Sequence, residues 1–315
     1  MVHKLHDGPG RAFGAKERGK FAGIFPAVLT PIDAGVILEE ALRRHVEFLI
    51  GAGVHGLYPL GTTGEGPLLD PSARKRVAEI VVDQVRGRVP VMVHVGDLST
   101  DGTIALARHA AEIGADAVGA VTPYYYSLTQ AQIDTHYREI AKAVAPLPVF
   151  LYNIPSNAKN TIQPATAARL VHEVENIAGI KDSSKDVALL QAYREAIGPG
   201  AKVFSGSDEL LHASIATGAD GLISALANVA PELMVRLYGA ARAGDAAEAR
   251  RLQATAIKLR DLLKEGPQIA AYKFAVRWRG NREFRGVAAP LTECSPEDER
   301  RLAEGLAKLA GEAFF

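Results

Sequence analysis

The residues best suited to chemistry stand where short apolar runs stop. Ile177-Ala178-Gly179-Ile180 ends in Lys181, and the chain turns at once into Asp182-Ser183-Ser184. A continuously apolar run reads as a strand buried on both faces, so this one delivers a lysine from the core. An amine in an apolar pocket loses stabilisation of its charged form. A neutral amine attacks ketones, the route to a Schiff base. Other runs end in residues that suit such a reaction. The run at 56–60 leads into Gly61-Thr62-Thr63-Gly64-Glu65, a turn whose N–H groups and two hydroxyls can hold a carboxylate. The run at 117–121 leads into Thr122-Pro123-Tyr124-Tyr125-Tyr126, and the run at 149–152 into Tyr152-Asn153. Tyrosine hydroxyls relay protons to and from a carbinolamine. Ser205-Gly206-Ser207-Asp208 and Ser224-Ala225 close two further runs.

Each of these residues also has a plain structural reading. A lysine just past a strand is commonly solvated, Gly-Thr-Thr-Gly can be a tight turn, and Tyr124–Tyr126 can be a plug or a subunit contact. The Gly-Thr-Thr-Gly turn lacks the Gly-Lys-Ser/Thr ending of a nucleotide-binding loop. His55, His94, His136 and His212 are scattered and read as structural, and Asp97 and Asp208 read as turn or cap residues. No His/Asp/Glu set with metal-ligand spacing stands at the run ends, so no metal is expected. The catalytic reading rests on convergence, and convergence requires a fold that brings every run end to one face.

The alternation of elements supplies that fold. Apolar runs at 22–29, 56–60, 91–95, 117–121, 149–152, 177–181, 203–206 and 221–224 alternate with helical stretches. In EEALRRHVEFLIGAG, Leu42, Val46, Phe48, Leu49 and Ile50 form an apolar face that stops at Gly51 and Gly53. Asp70-Pro71 reads as an N-cap followed by a first-turn proline. Eight βα units at roughly 28 residues each predict a closed (β/α)₈ barrel, with the site at the C-terminal ends of its strands. A doubly wound sheet is the alternative; no Gly-x-Gly-x-x-Gly opens the first unit. Residues 1–20 read as a mobile lead-in, 21–242 as the barrel and 243–315 as an appended helical segment.

Composition narrows the functional classes. Of 315 residues 48% are hydrophobic, enough for a large core, and Lys+Arg and Asp+Glu both number 36. A balanced charge gives no footprint for nucleic acid or for a basic membrane patch. Cys294 is the sole cysteine, which excludes an internal disulfide framework and suits a reducing cytoplasm. No apolar stretch approaches the ~18 residues of a membrane span. The first twenty residues lack the apolar core of a secretory signal.

Seven segments, in order, resemble one family. They are GIFPAVLTP (23–31), GLYPLGTTGE (56–65), VTPYYY (121–126), LYNIPS (151–156), GIKDSS (179–184), FSGSDELL (204–211) and GLISALANVAPE (221–232). Together they resemble the dihydrodipicolinate synthase/N-acetylneuraminate lyase superfamily of class I, pyruvate-dependent aldolases. The resemblance implies a (β/α)₈ TIM barrel, no cofactor and a homotetramer built as a dimer of dimers. It implies that Lys181 forms the imine with a 2-oxo acid and that Tyr152 is the general acid/base. It further implies that Gly61, Thr62 and Thr63 bind the carboxylate, with Thr62 in the proton relay. Tyr125 would complete a neighbouring subunit's relay, the Ile223 carbonyl would face the imine, and Ser207 would lie in the substrate site.

Departures from the pattern direct the choice of substrate. Lysine-biosynthesis synthases of this kind carry an arginine shortly after the YN-x-P-S motif; Asn157 stands there in YNIPSNAKN. A lost arginine removes a bidentate clamp for the aldehyde's carboxylate, with Lys159, Arg277 and Arg279 as candidate substitutes. SGSDELL and YKFAVRWRGNREFRGVAAPL are more similar to sugar-acid aldolases. The expected function is therefore pyruvate-forming or pyruvate-using C–C lyase chemistry on a 2-keto-3-deoxy sugar acid. The alternatives are a 4-hydroxy-tetrahydrodipicolinate synthase, a keto-deoxy sugar acid dehydratase, or a non-catalytic 2-oxo acid binding protein.

Overall fold

The computed structural model describes residues 20–314. The expected lead-in at 1–20 lies, but for Lys20, outside the described residues. After β1 (Gly23–Pro26) a short antiparallel pair, β2 (Ile32–Asp33) and β3 (Val36–Ile37), leads to α1 (Glu39–Gly51) and α2 (Pro71–Val85). Then follow β4 (Met92–His94), α3 (Thr100–Glu112), β5 (Ala117–Val121), α4 (Gln130–Val144) and β6 (Val149–Asn153). The one-turn α5 (Pro155–Ala158) precedes α6 (Pro164–Glu173), β7 (Ile177–Asp182), α7 (Val187–Ile197) and β8 (Lys202–Ser205). Next are α8 (Leu211–Ala216), β9 (Gly221–Ser224) and α9 (Pro231–Ala243). Last come α10 (Ala246–Leu263), α11 (Gln268–Trp278) and α12 (Pro296–Ala313).

Seven strands pair in parallel in the order β1-β9-β8-β7-β6-β5-β4. The gap between β1 and β4 is filled by the run at 56–60, which forms only a single bridge, Leu57 to Val91, rather than a regular strand. Gly56 and Pro59 explain the irregularity: glycine weakens a strand and proline has no N–H to donate. The backbone still closes the barrel. Tyr58 N–H donates to the Pro26 carbonyl at 2.9 Å, and the Tyr58 carbonyl accepts from Val28 N–H at 3.0 Å. On the other side Leu57 N–H donates to the Pro90 carbonyl and the Leu57 carbonyl accepts from Met92 N–H, each at 2.9 Å. The result is an α/β (β/α)₈ barrel with C-terminal helices.

Local chemistry sets the helix ends. Asp70 caps α2 by accepting from Ser72 N–H at 2.8 Å and Ala73 N–H at 2.9 Å, with Pro71 at the first helical position. Leu42, Val46 and Leu49 bury the inner face of α1. Inside the barrel, Phe25, Tyr58, Met92, Phe150, Phe204 and Ile223 form one buried cluster. Phe25 meets Phe204 edge-on at 5.1 Å between ring centroids. Side chains alternate along a strand, so Phe150 lies on the same inward face as Tyr152, one layer deeper. This packed interior is what the strand-end residues rest on. Beyond the barrel, α10 packs against α9 and α12, and α11 packs against α12.

Candidate active site

Strand register brings the two principal side chains together. β6 pairs with β7 so that Tyr152 stands opposite Lys181, and Lys181 in turn stands opposite Phe204 of β8. Both residues are buried, Lys181 at 5% exposure and Tyr152 at 3%. Lys181 Nζ lies 3.8 Å from the centre of the Tyr152 ring. Burial pushes the Tyr152 phenol upward, but the Lys181 charge and hydrogen bonds with Ser183, Lys181 and Thr62 outweigh it, so the net direction is down. A phenol shifted this way is better able to give up and take back a proton near neutrality.

A cavity of about 250 Å³ opens onto these groups. Its lining includes Lys181, Tyr152, Thr62, Thr63, Ile154, Asn157, Ser183 and Ile223. The threonines are held by a tight loop. Glu65 N–H donates to the Thr62 carbonyl at 3.1 Å, and Thr30 Oγ1 donates to the Gly64 carbonyl at 2.8 Å. A Cβ on Gly64 would stand 2.6 Å from the Val28 carbonyl oxygen, so only glycine fits there. Glu65 adopts a φ of +59° and sends its carboxylate inward, where it pairs with Lys273 of α11 and accepts from Ala288 N–H at 2.6 Å.

A second set of polar residues lines the same cavity: Lys185, Asp208, Glu209, Arg260, Gln268 and Tyr272. Arg260 pairs with Glu209 at 2.9 Å, and Lys185 reaches the same carboxylate oxygen at 3.4 Å. Asp208 donates nothing to this set. It accepts from Ser224 Oγ at 2.5 Å and Leu226 N–H at 3.1 Å, tying the end of β8 to the turn after β9. Burial raises its carboxyl to about 6 against the pull of those two donors. That agrees with its reading as a turn residue.

Several expected residues fall elsewhere. Ser207 is buried behind the wall, its N–H on Ser205 Oγ at 3.3 Å, and does not line the cavity. Its predecessor Gly206 lines the cavity instead. Gly61 does not line the cavity either; its carbonyl accepts from Gly66 N–H at 3.2 Å to close the loop. Tyr125 is 73% exposed with φ +83°, outside its own chain's cavity. Tyr124 instead lines an adjoining space with Thr62, Tyr152 and His94. The candidate substitutes for a missing arginine also stay away: Arg277 pairs with Glu299, Arg279 with Glu232, and Lys159 caps α5.

None of the four scattered histidines lines the cavity. His94 is buried, held by the Leu60 carbonyl at 3.0 Å, and burial followed by the charges of Arg74 and Lys181 keeps it neutral. Lys185, Glu209, Arg260, Gln268 and Tyr272 escaped the residue-by-residue reading. Glu209 had a signal, since it lies in FSGSDELL. Arg260, Gln268 and Tyr272 had none, because only the packing of α10 and α11 over the strand ends brings them in. Among the described residues no group of three or more His, Cys, Asp or Glu is placed to hold a metal ion. No helix among them is long and apolar enough to cross a membrane.

The barrel and its strand-end lysine, tyrosine and threonines define an enzyme of the lyase and aldolase kind. The chain belongs to the dihydrodipicolinate synthetase family, whose model matches residues 20–309. It is 40% identical over 294 residues to a 4-hydroxy-tetrahydrodipicolinate synthase of Methanopyrus kandleri, covering 91% of this chain and 96% of the relative. It is 38% identical over 283 residues to a probable 2-dehydro-3-deoxy-D-pentonate aldolase of Escherichia coli, covering 88% and 94%. Among solved structures it resembles an Escherichia coli K12 prophage protein of the dihydrodipicolinic acid synthase family in complex with pyruvate. The TM-score is 0.87 at 32% identity, over 92% of this chain and 99% of that one.

Proposed function

We propose that the protein is a class I aldolase that cleaves or forms a C–C bond through an imine between Lys181 and pyruvate, acting on a 2-keto-3-deoxy sugar acid. The observation that carries this reading is the contact of Lys181 Nζ with Tyr152, whose hydroxyl is shared with Thr62 and Ser183. In cleavage Nζ adds to the C2 ketone, a proton reaches the resulting oxygen, and water leaves to give the iminium. Tyr152 accepts the proton of the C4 hydroxyl. The C3–C4 bond breaks, its electrons flow into the iminium as an enamine, and the aldehyde departs. Protonation at C3 and hydrolysis return pyruvate and the free lysine. Thr62, Thr63 and the Gly61 turn hold the C1 carboxylate, and the Ile223 carbonyl faces the imine. No cofactor is required, because the lysine is the electron sink.

The second set of cavity residues supports the substrate class. Glu209 offers only acceptors, Arg260 and Lys185 only donors, and Gln268 both. A hydroxyl both donates and accepts, so a polyhydroxylated tail uses the whole set. A carboxylate tail would have to compete with Glu209 for Arg260 and Lys185, and Asn157 supplies no guanidinium where the lysine-biosynthesis synthases carry one. A 4-hydroxy-tetrahydrodipicolinate synthase, the activity named for the Methanopyrus relative, is thus the less favoured reading. The same imine would also support dehydration of a keto-deoxy sugar acid. Tyr125 is proposed to complete the relay of an adjacent subunit in a homotetramer, which its exposure supports.

Borohydride with pyruvate should fix a covalent adduct on Lys181, read by peptide mass spectrometry. A panel of keto-deoxy sugar acids should then release pyruvate and aldehyde, with aspartate semialdehyde a poor acceptor. An unmodified Lys181 would sink the mechanism. A trapped Lys181 without turnover of any panel member would favour a 2-oxo acid binding protein, and efficient synthase kinetics would overturn the substrate class.

A further inference from the structure

We propose that the ring face of Tyr58 is a catalytic group, a π-surface that holds the positive charge of the lysine iminium. The inference rests on the imine reading above and deepens it. Tyr58 is fully buried inside the barrel, and Lys181 Nζ lies 4.6 Å from its ring centre. The Tyr58 and Tyr152 rings stand nearly perpendicular, at 88° with centroids 6.3 Å apart. The amine therefore sits in a corner formed by two aromatic faces.

The ring is seated by its surroundings. A Cβ at Gly61 would come within 2.9 Å of its Cε1, and a Cβ at Gly119 within 2.9 Å of its hydroxyl. Two missing side chains thus make the slot that the ring fills. Its hydroxyl, though buried, has no hydrogen-bond partner among the described residues. A buried tyrosine hydroxyl usually finds one, so hydrogen bonding does not account for this placement. Nor does acid–base chemistry. Burial, then Tyr152 and Tyr137, raise the phenol well above its ordinary range, so it remains protonated. What the side chain presents to Nζ is its face.

That face suits one stage of the reaction. When water leaves the carbinolamine, the nitrogen becomes a C=N⁺ cation at a largely buried position. A carboxylate at this distance would also hold the resting ammonium as an ion pair. An aromatic ring attracts either cation electrostatically, but it holds an ammonium less tightly than a carboxylate does and takes no proton, so it stabilises the iminium while leaving the amine easier to free. A desolvated cation–π contact changes an equilibrium by about 10- to 30-fold.

The test keeps the shape of the side chain and varies only its electrons. Position 58 is replaced by phenylalanine (Tyr58→Phe), then by mono-, di- and trifluorophenylalanine through suppression of a stop codon. The rate of borohydride trapping with pyruvate is measured for each, alongside melting temperature. Tyr58→Phe should stay within about threefold of wild type, because the lost hydroxyl has no partner. The logarithm of the rate should then fall with each fluorine, to about 10- to 30-fold at three. A flat series overturns the proposal, as does a Tyr58→Phe loss equal to that of the trifluoro variant, which would assign the effect to the hydroxyl. Wild-type protein that cannot be trapped at Lys181 overturns the imine reading and this one together; normal wild-type trapping with a flat series overturns this one alone.

Discussion

At Tyr152 two opposed forces meet in one hydroxyl. Burial disfavours its anion, while the charge of Lys181 and hydrogen bonds with Ser183, Lys181 and Thr62 favour it, and the second group prevails. A residue poised in this way depends on its neighbours more than on its own type. Glu209 and Arg260 depend on each other in the same way, pairing at 2.9 Å at the cavity wall. Arg260→Met and Glu209→Gln should each raise KM for a hydroxylated keto-deoxy acid by about tenfold, the loss expected for one charge-assisted hydrogen bond. Trapping of pyruvate alone should be unchanged, since pyruvate has no tail to reach them. Equal loss in both assays would show that the pair supports the fold and not the substrate. Lys181, Tyr152 and Thr62 were legible in the sequence because each stands at the end of an apolar run, and run ends converge in a barrel. Arg260 was not, because a helix residue carries no mark of the cavity that it will line. Tyr58 was passed over because, inside GLYPLGTTGE, a core aromatic and a catalytic one look alike.

The elements are coupled where the helical segment meets the loop that carries the threonines. Glu65 and Lys273 form an ion pair that is almost wholly shielded from solvent, and Lys273 also donates to the Gly286 carbonyl. Such a pair adds little net stability over apolar residues of equal volume, whereas removing one partner costs about 3–5 kcal/mol. Its consequence is therefore geometric: it pins the loop bearing Thr62 and Thr63 to α11. Lys273→Met should lower the melting temperature sharply by leaving Glu65 buried and unpaired. The double variant Glu65→Met/Lys273→Met should recover most of that stability yet keep a raised KM for pyruvate, because the loop has lost its anchor to Ala288 N–H and to the ammonium. A double variant with wild-type KM would show that the loop holds its shape unaided. Most elements could be read from apolar runs and caps such as Asp70-Pro71. The segment at 56–60 could be read as a run but not as an irregular one, since its pairing is decided by which N–H groups Gly56 and Pro59 leave for β1 and β4. The pinning itself was illegible, because it joins residues more than two hundred positions apart through a buried charge that sequence spacing does not encode.

For the whole molecule, the open question lies at Tyr125. Its side chain is 73% exposed, its backbone sits at φ +83°, and it packs edge-on against an equally exposed Tyr126, with centroids 5.1 Å apart. A bulky residue held in the left-handed region is a strained arrangement that needs a reason, and two large aromatics in water give none within one chain. Insertion of Tyr125 into a neighbour's site would supply it. Lys181 and Tyr125 would then serve one reaction centre from different chains, and complementation can separate that from a space-filling role. Tyr125→Phe deletes one oxygen and should lower turnover by about 10²–10⁴, the loss typical of a proton-transfer group, with little change in melting temperature. Lys181→Ala should abolish turnover outright. Mixing the two inactive proteins under conditions that allow subunit exchange should restore activity, because a mixed pair contains one centre with both Lys181 and Tyr125 intact. At complete exchange a quarter of the centres are whole, and the recovered rate should approach that fraction of wild type. Recovery absent despite exchange confirmed by native mass spectrometry would place both residues in one chain's centre. Near-wild-type turnover in Tyr125→Phe, with loss in Tyr124→Phe or Tyr126→Phe, would move the role to a neighbour in the same loop.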